Sequence, residues 1–210
     1  MSATGEQRPI EDILHDFEIQ LQRSRLSELS VEQLLEKGSG VLQAYLAKNY
    51  DSFNVNQKAE RNFYSQNVTV GNARITGAID LMQIDKTAKT VVVTDYKTGK
   101  SMASWQGKTD FDKIKLHKYK QQLMFYKILI EGSRDFAGYT VTNGVLDFVE
   151  PDESGELYKL ELSFTKDEIE SFKLLLQAVW NKIAALEFPD TSGYEPTFQG
   201  ILQFEKDILK

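Results

Sequence analysis

Two runs of strand-forming residues, Arg74–Asp85 and Thr90–Lys97, separated only by Lys86-Thr-Ala-Lys89, constrain this 210-residue chain more than any other feature. A four-residue loop between two such runs predicts an antiparallel hairpin. Stepping outward from the loop pairs Ile84 with Val91, Met82 with Val93 and Asp80 with Asp95. Side chains alternate along a strand, so Asp80, Asp95 and Lys97 share one face with the apolar pairs. That face is apolar beside the loop and charged at its far end. Carboxylates directly opposite would lie about 5 Å apart at Cβ and repel each other. Lys97 or a divalent cation between them relieves the repulsion; the alternative is a bulge that moves one aspartate aside.

The rest of the chain is read around that hairpin. Ile10, Ile13, Leu14, Phe17 and Leu21 recur at helical spacing over 9–28. Ser30-Val-Glu-Gln33 has the form of a capping box and opens a second helix through Leu46, with Gly38 and Gly40 weakening its middle. Residues 51–58 read as a loop and Ala59–Val70 as a strand. A glycine-rich polar stretch, 98–112, leads into a helix over Lys113–Glu131. Strands are expected at Tyr139–Val149 and Leu157–Phe164, and Thr165-Lys-Asp-Glu168 caps a last helix over 166–187. Its stripe of Phe172, Leu175, Leu176, Val179, Trp180 and Ile183 reads as core, Pro189 ends it, and 190–210 carries no clear signal. The order predicts a mixed α/β (α+β) domain, divided as an N-terminal helical segment 1–58 packed on the core, a core 59–188 and a C-terminal tail 189–210.

Composition narrows the chemistry. The absence of cysteine excludes disulfides, thiol nucleophiles and iron–sulfur clusters, and 2 histidines exclude multi-histidine metal sites. A metal would be held by oxygen, which favours Mg²⁺ or Mn²⁺. Gly99-Lys100-Ser101 is no phosphate loop, because the glycine needed five positions earlier is Thr94, so no bound nucleotide is expected. No apolar run is long enough for a membrane span and Met1–Arg8 has no signal-peptide core, so a cytoplasmic, membrane-free protein is expected. The net charge of −6 argues against bulk attraction to nucleic acid. Yet Lys97, Lys100, Lys108, Lys113, Lys115, Lys118 and Lys120 cluster around Asp110 and Asp112, whereas 147–170 is predominantly acidic. Trp105, inside the basic stretch, either stacks on a base or packs beneath its loop; packing is the preferred reading. His117 reads as a solvated helix residue.

Three motifs in order, Gly77-Ala-Ile-Asp80, Asp95-Tyr-Lys-Thr-Gly99 and Gln122-Leu-Met-Phe-Tyr126, resemble the G-x-x-D, D-Y-K-T-G and Q-x-x-x-Y elements of the PD-(D/E)XK nuclease superfamily in its RecB-like branch. The resemblance covers roughly 10–190 and extends to such domains as found at the C-terminus of UvrD-like helicases. It implies a restriction-endonuclease-like core, a central mixed β-sheet flanked by helices. It further implies Asp80 and Asp95 as metal ligands aided by the Tyr96 backbone carbonyl, Lys97 as the catalytic lysine, and Gln122 and Tyr126 flanking the site and touching nucleic acid. His15 on the first helix and Glu60 in an E-x-x-F element are the further ligands the resemblance suggests, although Glu11 stands where a glycine usually precedes the histidine. Lys100, Lys108, Lys115 and Lys118 would meet DNA phosphates. The activity implied is Mg²⁺- or Mn²⁺-dependent hydrolysis of DNA, as an exodeoxyribonuclease on single strands or unwound ends. It would serve recombination or repair with a helicase motor in the same or another chain. The chemistry fits, since a carboxylate-held cation both neutralises phosphate oxygens and activates water. The competing reading is a catalytically degenerate nuclease-fold module that binds DNA or a helicase partner.

Overall fold

The short Lys86–Lys89 connection does what its length suggests. In the computed structural model, which describes residues 7–210, β4 (Ala78–Asp85) and β5 (Thr90–Lys97) pair antiparallel. Asp85 lies opposite Thr90, Ile84 opposite Val91 and Met82 opposite Val93, the register read from the sequence. The Asp85 carboxylate closes the turn by accepting the N–H groups of Thr87 and Ala88 at 2.9 and 2.8 Å. Residues 1–6, part of the stretch screened for a targeting core, lie outside the described residues.

Three more strands complete the sheet: β1 (Gln57–Asn62), β6 (Thr140–Phe148) and β7 (Lys159–Ser163), in the order β1-β4-β5-β6-β7. The Thr140 N–H donates to Lys89 O at 3.0 Å and the Val149 N–H to Lys97 O at 3.1 Å. Both numbers rise together, so β5 and β6 run parallel and need a crossover between them. That crossover is α3 (Asp110–Glu131). The sheet is therefore mixed, and the fold is a mixed α/β arrangement of the restriction-endonuclease-like kind. The expected strand Ala59–Val70 is interrupted: Tyr64–Gln66 forms a 3₁₀ turn and Asn67 takes φ +53°. Beyond it β2 (Thr69–Val70) and β3 (Ala73–Arg74) make a separate ribbon.

The described residues group into two compact units. One comprises the chain up to 57 with 96–103 and 147–159, and contains α1 (Ile10–Gln22) and α2 (Glu28–Asn49). The second helix starts earlier than Ser30: Ser27 is its cap, accepting the Ser30 N–H at 3.2 Å. Gly38 does not break it. The Phe17 ring of α1 lies 2.4 Å from where a β-carbon at 38 would stand, so the glycine lets the two helices approach.

The other unit comprises 58–95, 104–146 and 160–210. Here α3 opens on a reciprocal capping box between Thr109 and Asp112, three residues before the predicted start. The Thr165/Glu168 box opens α4 (Lys166–Ala185) as expected. Met124 and Ile128 of α3 pack with Ile169 and Phe172 of α4 and with Val70 of the ribbon. The far half of the predicted α4 stripe is not core. Trp180 is 39% exposed and Ile183 49%, because periodicity marks an apolar face but not how far its neighbours extend. The unassigned tail forms α5 (Phe198–Ile208), capped by Thr197 and packed on α3 and α4. This docking also corrects the reading of His117, which bonds Glu205 of α5 at 2.9 Å and meets the Phe198 ring edge-on.

Candidate active site

The antiparallel ladder runs outward to Leu81 opposite Thr94. One step further along each strand stand Asp80, half-buried, and Asp95, only 1% exposed. A buried carboxylate needs donors, and α3 supplies one. The Tyr126 hydroxyl donates to Asp95 Oδ1 at 2.9 Å. One helical turn earlier, the Gln122 amide Nε2 donates to the Tyr126 oxygen at 3.0 Å. Gln122, Tyr126 and Asp95 thus form one hydrogen-bonded line, and two of the sequence motifs meet in it. Burial pushes the Tyr126 hydroxyl up from its ordinary value, and the charges of Asp95 and then Asp80 push it further. The hydroxyl accordingly stays protonated and remains a donor, and both aspartates are near enough for their fields to reach it.

The glycine of the first motif has a packing reason. A β-carbon on Gly77 would stand 3.2 Å from Leu129 and 3.6 Å from Phe125, both on α3, so its absence lets the chain entering β4 lie close against that helix.

Tyr96 and Lys97 complete β5 and group with the first unit. There the Tyr96 ring meets Tyr45 of α2 edge-on, with centroids 6.2 Å apart. Gly99 takes φ +87°, which explains a glycine two residues after the lysine, and its N–H donates to Glu150 Oε1 at 2.7 Å. Glu150 is paired with Lys37 at 2.8 Å; that hydrogen bond, with the Gly99 amide, holds its carboxyl below the usual range.

The His15 side chain is 68% exposed on α1, with Glu18 at 3.9 Å. Glu60 is exposed within β1 and takes φ +50°. Lys100, Lys108, Lys113 and Lys118 are exposed. Lys115 lies over the Tyr119 ring at 5.7 Å, and Lys120 pairs with Glu168 at 2.5 Å. Trp105 packs: its indole N–H donates to Glu161 O at 2.7 Å, tying the loop to β7. The sequence places Tyr45 only in a helix stripe and Asp147 only in an acidic stretch, yet both are buried and joined by a 2.6 Å hydrogen bond. The available signal was an aspartate between Leu146 and Phe148 in an otherwise apolar strand end.

The chain matches the family model of the PD-(D/E)XK nuclease superfamily over residues 3–195. It belongs to that superfamily. No curated protein matches it. Superfamily members are usually nucleases and generally use divalent cations. In this member no group of three or more histidine, aspartate or glutamate side chains gathers as a metal cluster among the described residues. Asp80 and Asp95 are carboxylates, hard oxygen donors of the kind that suits Mg²⁺ or Mn²⁺. No helix among the described residues is long and apolar enough to cross a membrane.

Proposed function

We propose that this superfamily member is a metal-dependent DNA nuclease of RecB-like type, hydrolysing phosphodiesters in single strands or at unwound ends during recombination or repair. It would work beside a UvrD- or RecB-type helicase motor in the same or another chain. The observation that carries the reading is the Gln122–Tyr126–Asp95 line, which aims a buried carboxylate and keeps it there. Pre-set geometry of this kind is what a reacting site needs and a merely folded one does not.

Asp80, Asp95 and the Tyr96 carbonyl would hold Mg²⁺, which when bound neutralises phosphate oxygens and acidifies water. Asp95 cannot swing away without breaking the Tyr126 bond, so its oxygens would be offered to a bound ion already oriented. Gln122 fixes the tyrosine oxygen from the other side and, with Tyr126, borders the path of the nucleic acid. Lys97 would orient the attacking water or stabilise charge growing on the phosphate. The exposed Lys100, Lys108 and Lys118, with the Lys115 stem, would take the flanking phosphates, giving binding that weakens as salt rises. His15 and Glu60 are both exposed, and without them the ion would rest on two carboxylates and a carbonyl, a short ligand set that also suits the degenerate reading.

Cleavage of labelled single-stranded and forked oligonucleotides in Mg²⁺, Mn²⁺ or EDTA tests the proposal. Cleavage should require metal and vanish in Asp95→Ala and Lys97→Ala. Activity that survives either change overturns the assigned roles. DNA binding without cleavage, and no heat of Mn²⁺ binding at millimolar metal, would favour the degenerate module.

A further inference from the structure

Asp147 is 3% exposed, near the end of β6 between Leu146 and Phe148, neither of which is exposed at all. Its Oδ2 accepts from the Tyr45 hydroxyl at 2.6 Å and from Lys159 Nζ at 3.0 Å, while its buried Oδ1 has no hydrogen-bond partner. Burying a carboxylate with one oxygen unmatched costs stability, and an apolar pair of similar shape would fill the space as well or better. Packing alone therefore gives no reason for the charge. Departures of that kind concentrate at functional sites.

The pair acts on the end of β5. The Tyr45 hydroxyl is fixed on Asp147, and its ring stands at 90° to the Tyr96 ring. Burial and the Asp147 charge push the Tyr45 hydroxyl up, so it remains a donor. Beside it, the Val149 N–H donates to the Lys97 carbonyl, and Glu150 ties the Gly99 amide to Lys37 two turns before Tyr45. The segment 96–99 is thus gripped at a ring, a carbonyl and an amide.

We propose that Tyr45 and Asp147 are positioning residues that set the orientation of Tyr96 and Lys97 at the end of β5. The assignment rests on the nuclease reading above, in which those two residues supply a carbonyl ligand and an ammonium group.

The test is the double variant Tyr45→Phe/Asp147→Leu, with Asp147→Asn as a milder second variant should the double fail to fold. Melting temperature, kcat and KM are measured on a single-stranded oligonucleotide in Mg²⁺. We expect a melting temperature within about 5 °C of wild type and a kcat lowered about tenfold with KM within about twofold. Leu46→Ala, beside Tyr45 in the same helix, should lose stability yet keep kcat. A folded variant with wild-type kcat overturns the positioning role, and so does an equal loss of kcat in Leu46→Ala. Wild-type protein that does not cleave, or that cleaves no better than Asp95→Ala, overturns the nuclease reading and this assignment with it.

Discussion

The two ends of the β4–β5 hairpin obey the same alternation and are held by different physics. Beside the loop, Met82, Val91 and Val93 are completely buried and Ile84 nearly so. Each gains from leaving water, at roughly 25 cal/mol per Å² of apolar surface, and none requires a partner of defined geometry. At the open end Asp95 is just as buried, but its charge makes burial a cost that the Tyr126 hydroxyl helps to offset. Rigidity is generated at the loop end and consumed at the open end. A site placed on a strand already locked by its neighbours needs few further contacts to be exact in position.

The contrast can be broken from either side. The largest effect belongs to Asp95→Ala: cleavage should fall on the order of 10⁴-fold, about 5 kcal/mol of transition-state stabilisation, with little change in melting temperature. Met82→Ala does the reverse. It opens a cavity in the core and should cost about 2–5 kcal/mol in urea unfolding, while the fraction that stays folded cleaves normally. Tyr126→Phe is smaller, removing only the donor to Asp95; metal affinity measured by Mn²⁺ calorimetry should weaken about 10- to 100-fold. The smallest effect lies on the surface. A hydrogen bond from Lys120, then the Thr165 amide, holds the Glu168 carboxyl down to about 2. A depressed carboxylate stabilises the fold above its unfolded value, and that gain is lost as pH falls through the folded one. Glu168→Gln should therefore cost under about 1 kcal/mol at neutral pH, since the pair is partly exposed, and the gap to wild type should close between about pH 4 and pH 2.

The same division explains what the sequence disclosed. The hairpin register was readable because a four-residue loop leaves few alternatives and a one-residue slip would reverse both faces. The pairing of Gln122 with Tyr126 was readable from their spacing, but the acceptor of that line, Asp95, lies on a different element, and only packing shows the hydroxyl pointing at it. Tyr45 stands at an apolar step of its helix, and nothing local marks Asp147 as its partner 102 residues away. Helix α5 was hidden by a short amphipathic pattern behind Gly193 and Pro196, and with it the carboxylate that takes up His117. Trp180 shows the opposite error, a clean periodicity with no neighbour over its outer end.

The parallel pairing of β5 with β6 bears on the order in which the molecule is assembled. The hairpin closes through a handful of residues, whereas β6 can join only after the whole of α3 has been laid across. Contacts that distant in sequence form late, because the intervening loop must first be closed. Pulse-labelled hydrogen exchange should show amides of Leu81–Val93 protected before those of Thr140–Phe148. Tyr126 rides on the same late-arriving helix. The Tyr126 hydroxyl can therefore reach Asp95 only once that helix has docked across the hairpin.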